Sequence, residues 1–479
     1  MKGEEVTLGD EKIAVNTQIA LTAEELIHSK KALRKLDTRL LPIIVILYVG
    51  SLMDRGNIGA ALVNGLIKEL SLTDSLQALV TATFYIFYTT LELPANILLK
   101  KVKPRYWFSF IAVAWSVACM LQAVAKTASL FIVFRSILGA VEAGFSPGMV
   151  AYLPYWYTRE EIGFRMGVFF ASLPISAMVG SPLAGALASV KSSLKPYQMI
   201  FLVEGGITLI FGVASYFILE NYPETCTILT TEEKTVLLKK LRADQGLATR
   251  SKLSFWGAVK AIFDWKTAIY CIGNLAIING LNFVGIFGPT LLKGLGYSSV
   301  TATYMTGIPG AAGLISLIAS LYIPKRVPLF VNIIAMLGFE TAALFLMYFG
   351  SGKTLKIIAF VCVGIGLYPS FPIFLSWMSV NQGGIGKRLV VSAVVFSIGN
   401  LSGAIIPVML TTKYLPRFTL GYMFIAGFNL LTIVLTFILA MYFKKVNSNR
   451  DKHAEDVSHL TEVEQEQLYD DHPQFRYIL

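Results

Sequence analysis

The sequence predicts an all-α membrane protein of twelve transmembrane helices arranged as two six-helix bundles. Four observations carry that prediction. Of 479 residues, 55% are hydrophobic and only 15% charged, with a mean hydropathy of +0.62; a soluble chain carries about 25% charged residues. Apolar stretches of about 20 residues recur along the whole length, each long enough to cross about 30 Å of hydrocarbon as a helix. One long polar stretch, 221–266, divides six of these from six. A shift of about 225 residues lays Asn57 over Asn282, Asp54 over Asn279 and Lys68-Glu-Leu70 over Lys293-Gly-Leu295, as expected of two parallel repeats.

The elements follow in order. Residues 1–39 are too polar for a signal peptide, so the first span is expected to be an uncleaved anchor. Thr22-Ala-Glu-Glu25 is a capping box. It opens a short helix with Leu26, Leu33 and Leu36 on one side and Lys30, Lys31, Arg34 and Lys35 elsewhere. That helix either lies on the membrane interface or belongs to a solvated tail. The spans are expected near 40–63, 75–99, 104–125, 129–157, 162–189 and 197–220 in an N-terminal bundle (40–220). Those of a C-terminal bundle (267–443) are expected near 267–291, 299–322, 328–349, 355–379, 389–411 and 420–443. Prolines recur inside them, which spanning helices tolerate where neighbours satisfy the freed backbone. The central loop carries a second capping box, Thr230-Thr-Glu-Glu233, before a helix from Lys234 to Arg242. The tail 444–479 turns acidic and reads as disordered. Short loops on the two sides carry similar numbers of Lys and Arg. The basic segments flanking the first span, the central loop and Lys444-Lys445 place both termini in the cytoplasm.

The net charge of +11 faces anionic lipid rather than nucleic acid. Cysteines 119, 226, 271 and 362 have no metal-binding spacing, and three lie in apolar spans. No metal and no cofactor other than a proton gradient is expected. Histidines 28, 453, 459 and 472 all lie in polar tails. Any intramembrane proton must therefore ride on carboxylates. No nucleophile–base set or phosphate-binding glycine loop points to an enzyme.

Four charges interrupt apolar spans: Asp54-Arg55 in the first, Arg135 and Glu142 in the fourth. A charge at bilayer depth costs about 2.5–3.5 kcal/mol on insertion scales, so these must pair or line a polar cavity. Two cations are able to hold an anion, and two acids a proton. Arg135 and Glu142 are seven residues apart, nearly two helical turns, close to one face. A structural ion pair, or a cap ending a short first span, is the plainer alternative.

The residues Tyr48-Val-Gly-Ser-Leu-Met-Asp-Arg-Gly-Asn-Ile-Gly-Ala-Ala61 resemble the first-span signature of the anion:cation symporters of the major facilitator superfamily. Arg135-Ser-Ile-Leu-Gly-Ala-Val-Glu-Ala-Gly-Phe-Ser-Pro-Gly148 resembles their fourth-span signature. Tyr197 to Gly205 and Gly386-Lys-Arg388 are similar to the fungal allantoate and nicotinate permease branch. The resemblance covers about residues 33–443 and implies the major facilitator fold, two bundles rocking around a central site. It implies a monomeric, multi-pass plasma-membrane carrier that takes up a small organic anion with H⁺, of the nicotinate, pantothenate or allantoate class. It assigns substrate carboxylate to Arg55 and Arg135, proton coupling to Asp54 and Glu142, and cavity lining to Tyr88 and Asn400. It assigns Glu204 a supporting role at a gate. The loop signature is degraded at Leu98 to Arg105 and at Tyr322-Ile-Pro-Lys-Arg326, both lacking an acid. Glu92 and Glu340 receive no role. Aromatic candidates for the cavity are Tyr85, Tyr88, Phe170, Phe283, Phe287, Tyr368 and Trp377. A drug exporter, from the partial glycine–proline pattern at Gly180 to Gly185, and a non-transporting nutrient sensor are the alternatives.

Overall fold

The computed structural model describes residues 22–99, 101–245, 255–321, 327–410, 418–452 and 468–479. Among them, eleven helical segments are long and apolar enough to cross a membrane. A further helix, Asp74–Leu99, has 26 residues and packs inside the first group, completing twelve spans. The first six are Ala23–Ala61, Asp74–Leu99, Pro104–Leu121, Ala128–Glu142 with Phe145–Tyr152, Arg159–Phe170 with Ser172–Ser189, and Pro196–Ile218. The second six are Trp265–Gly285 with Gly288–Gly294, Ser299–Met305 with Gly307–Leu321, Leu329–Phe349, Lys353–Val380, Ile385–Asn400 with Ser402–Met409, and Thr419–Lys452. We number these spans one to twelve. The membrane face that carries Ala23 and Lys452 is called the near face, and the opposite one the far face.

Several spans are broken where continuous helices are expected. Span one ends in a π-helical turn, Leu62–Leu66, in which Gly65 adopts φ 113°, a left-handed conformation that favours glycine. The Asn64 amide bonds the Ala60 carbonyl at 2.9 Å and the Thr303 hydroxyl at 2.9 Å. The kink therefore ties span one to span eight at the far face. Lys293 adds a bond to the Val63 carbonyl at 3.2 Å. Span four breaks at Ala143-Gly144, directly after Glu142.

The bundles meet along spans two and eleven and along spans five and eight. Glycines permit the close approach. A Cβ on Gly403 would lie 2.2 Å from the Tyr85 ring, and one on Gly310 would lie 2.8 Å from span five.

The segment before span one is not a separate interfacial helix. The capping box at Thr22 forms, and the helix then runs unbroken through Pro42 into the membrane. The reason lies in its polar side. Lys35 pairs with Glu233 at 2.7 Å, Lys239 with Glu25 at 2.7 Å and Arg165 with Asp37 at 2.6 Å. The helix is thus held against the start of span five and against the central-loop helix Thr231–Gln245, whose own capping box also forms.

The acidic tail is ordered where it is described. Residues 468–479 fold back onto the near face of the second bundle. Asp470 is 1% exposed and sits between Lys266 and Lys387. Tyr477 stacks on Phe443 with ring centroids 4.1 Å apart and donates to Asp470 at 3.0 Å. The Leu329 amide donates to the Leu479 carbonyl at 2.9 Å. Composition missed this because one buried carboxylate with two lysines outweighs a polar average. The second degraded loop signature, Tyr322 to Arg326, lies outside the described residues.

Burial alone would raise the Asp470 carboxyl, but the two lysines hold it below its ordinary value. A depressed carboxylate stabilises the docked tail at any pH above the ordinary value of about 3.9 and loses that contribution as pH falls through the depressed one. A spin label at Ile478 is expected to stay immobile from neutral pH down into the ordinary carboxylate range and to loosen only below it. Asp470→Asn should be mobile already at neutral pH. Equal immobility in the variant would remove the ion pairs from the account.

Candidate functional site

A cavity opens between the bundles, lined from both: Arg55, Tyr88 and Glu92 on one side, Asn282, Tyr368 and Asn400 on the other. Arg55 reaches it from span one, with its side chain 13% exposed. Its guanidinium bonds Glu142 of span four at 2.7 Å and lies 4.7 Å from the Tyr88 ring centroid. The same Glu142 oxygen accepts from Ser51 at 2.6 Å. Its second oxygen has no partner. A buried carboxylate with one cation and one hydroxyl is incompletely satisfied, and its stability rests on the guanidinium.

Glu142 is itself fully buried and does not line the cavity; it meets the cavity only through Arg55. Arg135 does something else. It is fully buried and does not line the cavity. Its two terminal nitrogens donate to the backbone carbonyls of Asp54 at 3.2 Å and Arg55 at 2.8 Å. Phe84 lies beneath it at 5.2 Å. The close approach depends on Gly139, where a Cβ would lie 2.2 Å from the Phe84 carbonyl oxygen. The expected reach of Arg135 into a cavity is therefore not present in this structure. Its planar fork is spent on span one, at the residues that aim Arg55.

Asp54 also lies behind the wall. It is fully buried, accepts from the Cys119 thiol at 3.3 Å, and leaves its second oxygen unpartnered. The adjacent pair Asp54-Arg55 splits as helix geometry requires, the arginine toward the cavity and the acid toward spans three and six. Glu204 of span six touches the cavity, and neither of its oxygens makes a hydrogen bond. Asn57 bonds Cys119 at 3.4 Å within the same group.

Tyr88 and Asn400 both line the cavity, as do Tyr85 and Tyr368. Tyr85 donates across the bundles to Asn282 at 2.9 Å, and Asn282 donates to Ser402 at 3.0 Å. Phe170 meets Phe371 at 5.4 Å across the same gap. Phe283 and Trp377 instead pack on Tyr422 and Tyr270, and Phe287 is buried without lining the cavity. Glu92 is a wall residue that the sequence reading left without a role. The signal was available: it follows Tyr88 by four residues, so a helix that turns one toward the cavity turns both. Glu340 lies away from the cavity, against Gly280, with neither oxygen hydrogen-bonded.

The residues 44–407 match the family model described as Major Facilitator Superfamily. The chain belongs to the major facilitator superfamily. It is a multi-pass membrane transporter. It is 29% identical over 434 residues to the "Putative tartrate transporter" of Agrobacterium vitis, covering 88% of this chain and 94% of that one. It is 27% identical over 489 residues to the major facilitator-type transporter hxnP of Emericella nidulans, covering 98% and 97%. Among solved structures, a D-xylose–proton symporter aligns with a TM-score of 0.62 at 13% identity, over 82% of this chain and 96% of that one. That likeness shows the fold shared across the superfamily.

Arg135→Lys keeps the charge but replaces two separated guanidinium nitrogens with one ammonium on a shorter side chain, which cannot reproduce both bonds in the same geometry. Purified Arg135→Lys is expected to lose about 1.5–3 kcal/mol of stability in a thermal or urea melt. A variant melting with the parent would contradict the positioning role.

Proposed function

We propose that this transporter takes up a small organic anion together with H⁺. The favoured cargo is a monocarboxylate of the vitamin or nitrogen-source type, the class carried by the allantoate and nicotinate permease branch. The observation that carries the reading is the ion pair between Arg55, which lines the cavity, and Glu142, fully buried directly behind it. The tartrate in the name of an Agrobacterium vitis relative is a small organic anion with two carboxylates, so it supports the anion and not the choice of a single carboxylate. The near face is assigned to the cytoplasm and the membrane to the cell surface.

The mechanism follows from exchange of partners. In the empty site Glu142 neutralises Arg55. An arriving carboxylate offers the guanidinium planar bidentate geometry and displaces Glu142. A carboxylate that loses its cation in a poorly solvated place favours its neutral form, so Glu142 takes a proton. Before loading, the pair sums to zero; after loading, the anion cancels Arg55 and the protonated acid carries nothing. Both states therefore cross between open conformations without added buried charge. Anion alone would leave one uncompensated negative charge in the membrane, which disfavours that crossing. Binding of either cargo favours the other by the same factor.

Asp54, buried behind the wall, and Glu204, which touches the cavity, form the second proton-holding position in this proposal. Arg135 fixes the span-one backbone so that Arg55 keeps its aim. Tyr88 covers the guanidinium with a π-face that strengthens where water is excluded.

The test is uptake of labelled nicotinate, pantothenate and allantoate under an inward proton gradient. At least one should accumulate uphill, with alkalinisation of the external medium. Glu142→Gln should still exchange that substrate across the membrane while losing uphill accumulation. Intact accumulation in that variant would refute the coupling role. Arg55→Ala should abolish saturable carboxylate uptake; retained uptake would refute the anion-binding role.

A further inference from the structure

The cavity wall carries a cation and an acid from different helices. Arg55 of span one is the cation. The acid is Glu92 of span two, which faces Ser397 and Asn400 of span eleven. Glu92 is 3% exposed. Its Oε2 accepts from the Ser397 hydroxyl at 3.2 Å, a bond that crosses from one bundle to the other. The Asn400 amide, one turn beyond Ser397, faces the same carboxyl. Among the described residues no lysine, arginine or histidine forms an ion pair with Glu92. The mechanism above makes no use of this acid.

We propose that Glu92 is a specificity residue: it receives the hydrogen-bond-donor end of a substrate whose carboxylate sits on Arg55. The substrate class is thereby narrowed to carboxylates carrying a distal N–H or O–H group, such as an amide, ureido or hydroxyl function. This deepens the proposed function and rests on the anion site at Arg55. An acceptor-only carboxylate group, or a hydroxyl-bonded acid, rewards a donor. It repels a second carboxylate placed opposite it. A ligand donor competes with Ser397 for Oε2, so cargo replaces a bond between the bundles with a bond to itself. Dicarboxylates of the same length are rejected, because one end meets Arg55 and the other meets Glu92 with no cation between. Tyrosines 85, 88 and 368 line the same cavity.

The experiment uses matched pairs that differ only at the distal group. Succinamate is compared with succinate, and 4-carbamoylbenzoate with terephthalate, by calorimetric binding to the purified full-length protein. The parent should bind the amide of at least one pair about tenfold more tightly than the diacid. Glu92→Gln, which keeps size and removes the charge, should bring that ratio to within about twofold, chiefly by gaining diacid affinity. A parent that fails to discriminate within either pair, or binds neither, overturns the inference. So does a Glu92→Gln protein that keeps the parental ratio. Arg55→Ala separates the two layers of the argument. If it loses both members of the pair while Glu92→Gln keeps the ratio, the Glu92 assignment alone fails. If Arg55→Ala binds both as the parent does, the anion site itself fails, and the Glu92 assignment with it.

Discussion

Arg55 lines the cavity between the bundles, Glu142 holds the opposite charge 2.7 Å behind it in full burial, and the surrounding structure depends on that contact. Neither charge is sustainable alone at that depth. Each makes the other tolerable, and each becomes available when something else takes its place. Ser51 and Tyr88 support the pair from span one and span two. Arg135 holds the backbone from which Arg55 projects. The break in span four directly after Glu142 ends the helix where the acid must meet span one. The result is a polar site built from residues of spans one and four, with Gly139 bringing span two close against span four.

The other buried acids extend the same logic with less support. Asp54 has a thiol, Glu92 a hydroxyl, and Glu204 and Glu340 have no hydrogen bond. Asn279, aligned with Asp54 by the repeat, is also fully buried and without a partner, and it carries no charge. The two halves thus share a scaffold and differ in titratable content. The acids that the proposed coupling uses lie in the first half, and the second half contributes amides, hydroxyls and aromatic surface to the cavity. The far face is pinned by Asn64 with Thr303 and Lys293 with the Val63 carbonyl, while Tyr85–Asn282 and Glu92–Ser397 bridge the middle. A site touched by both bundles is one whose occupancy bears on their relative motion.

Much of this was legible in the sequence. The twelve spans follow from apolar length, because hydrocarbon thickness fixes what a spanning helix needs. The four intramembrane charges announced themselves by their cost. Tyr88 and Asn400 were placed on the cavity by resemblance, and they line it. What sequence did not reveal is direction. Arg135 and Arg55 look interchangeable as residues, yet one grips backbone carbonyls and the other faces open space. That difference comes from Gly139 admitting span two so closely that Arg135 is sealed in. Pairing was equally hidden: Glu142 bonds Arg55 across helices and not the arginine two turns away on its own. The folded tail escaped notice because its order comes from Lys266 and Lys387, two distant residues that local composition does not register.

The most direct test of partner exchange is proton uptake on binding, followed with a pH indicator in weakly buffered detergent solution. Nicotinate, pantothenate and allantoate are each added to the purified protein, with binding measured in parallel. The account predicts that the ligand that binds draws about one proton per anion from solution, and that Glu142→Gln binds it with markedly less uptake. Stoichiometric binding with no proton taken up, or undiminished uptake in Glu142→Gln, would contradict it.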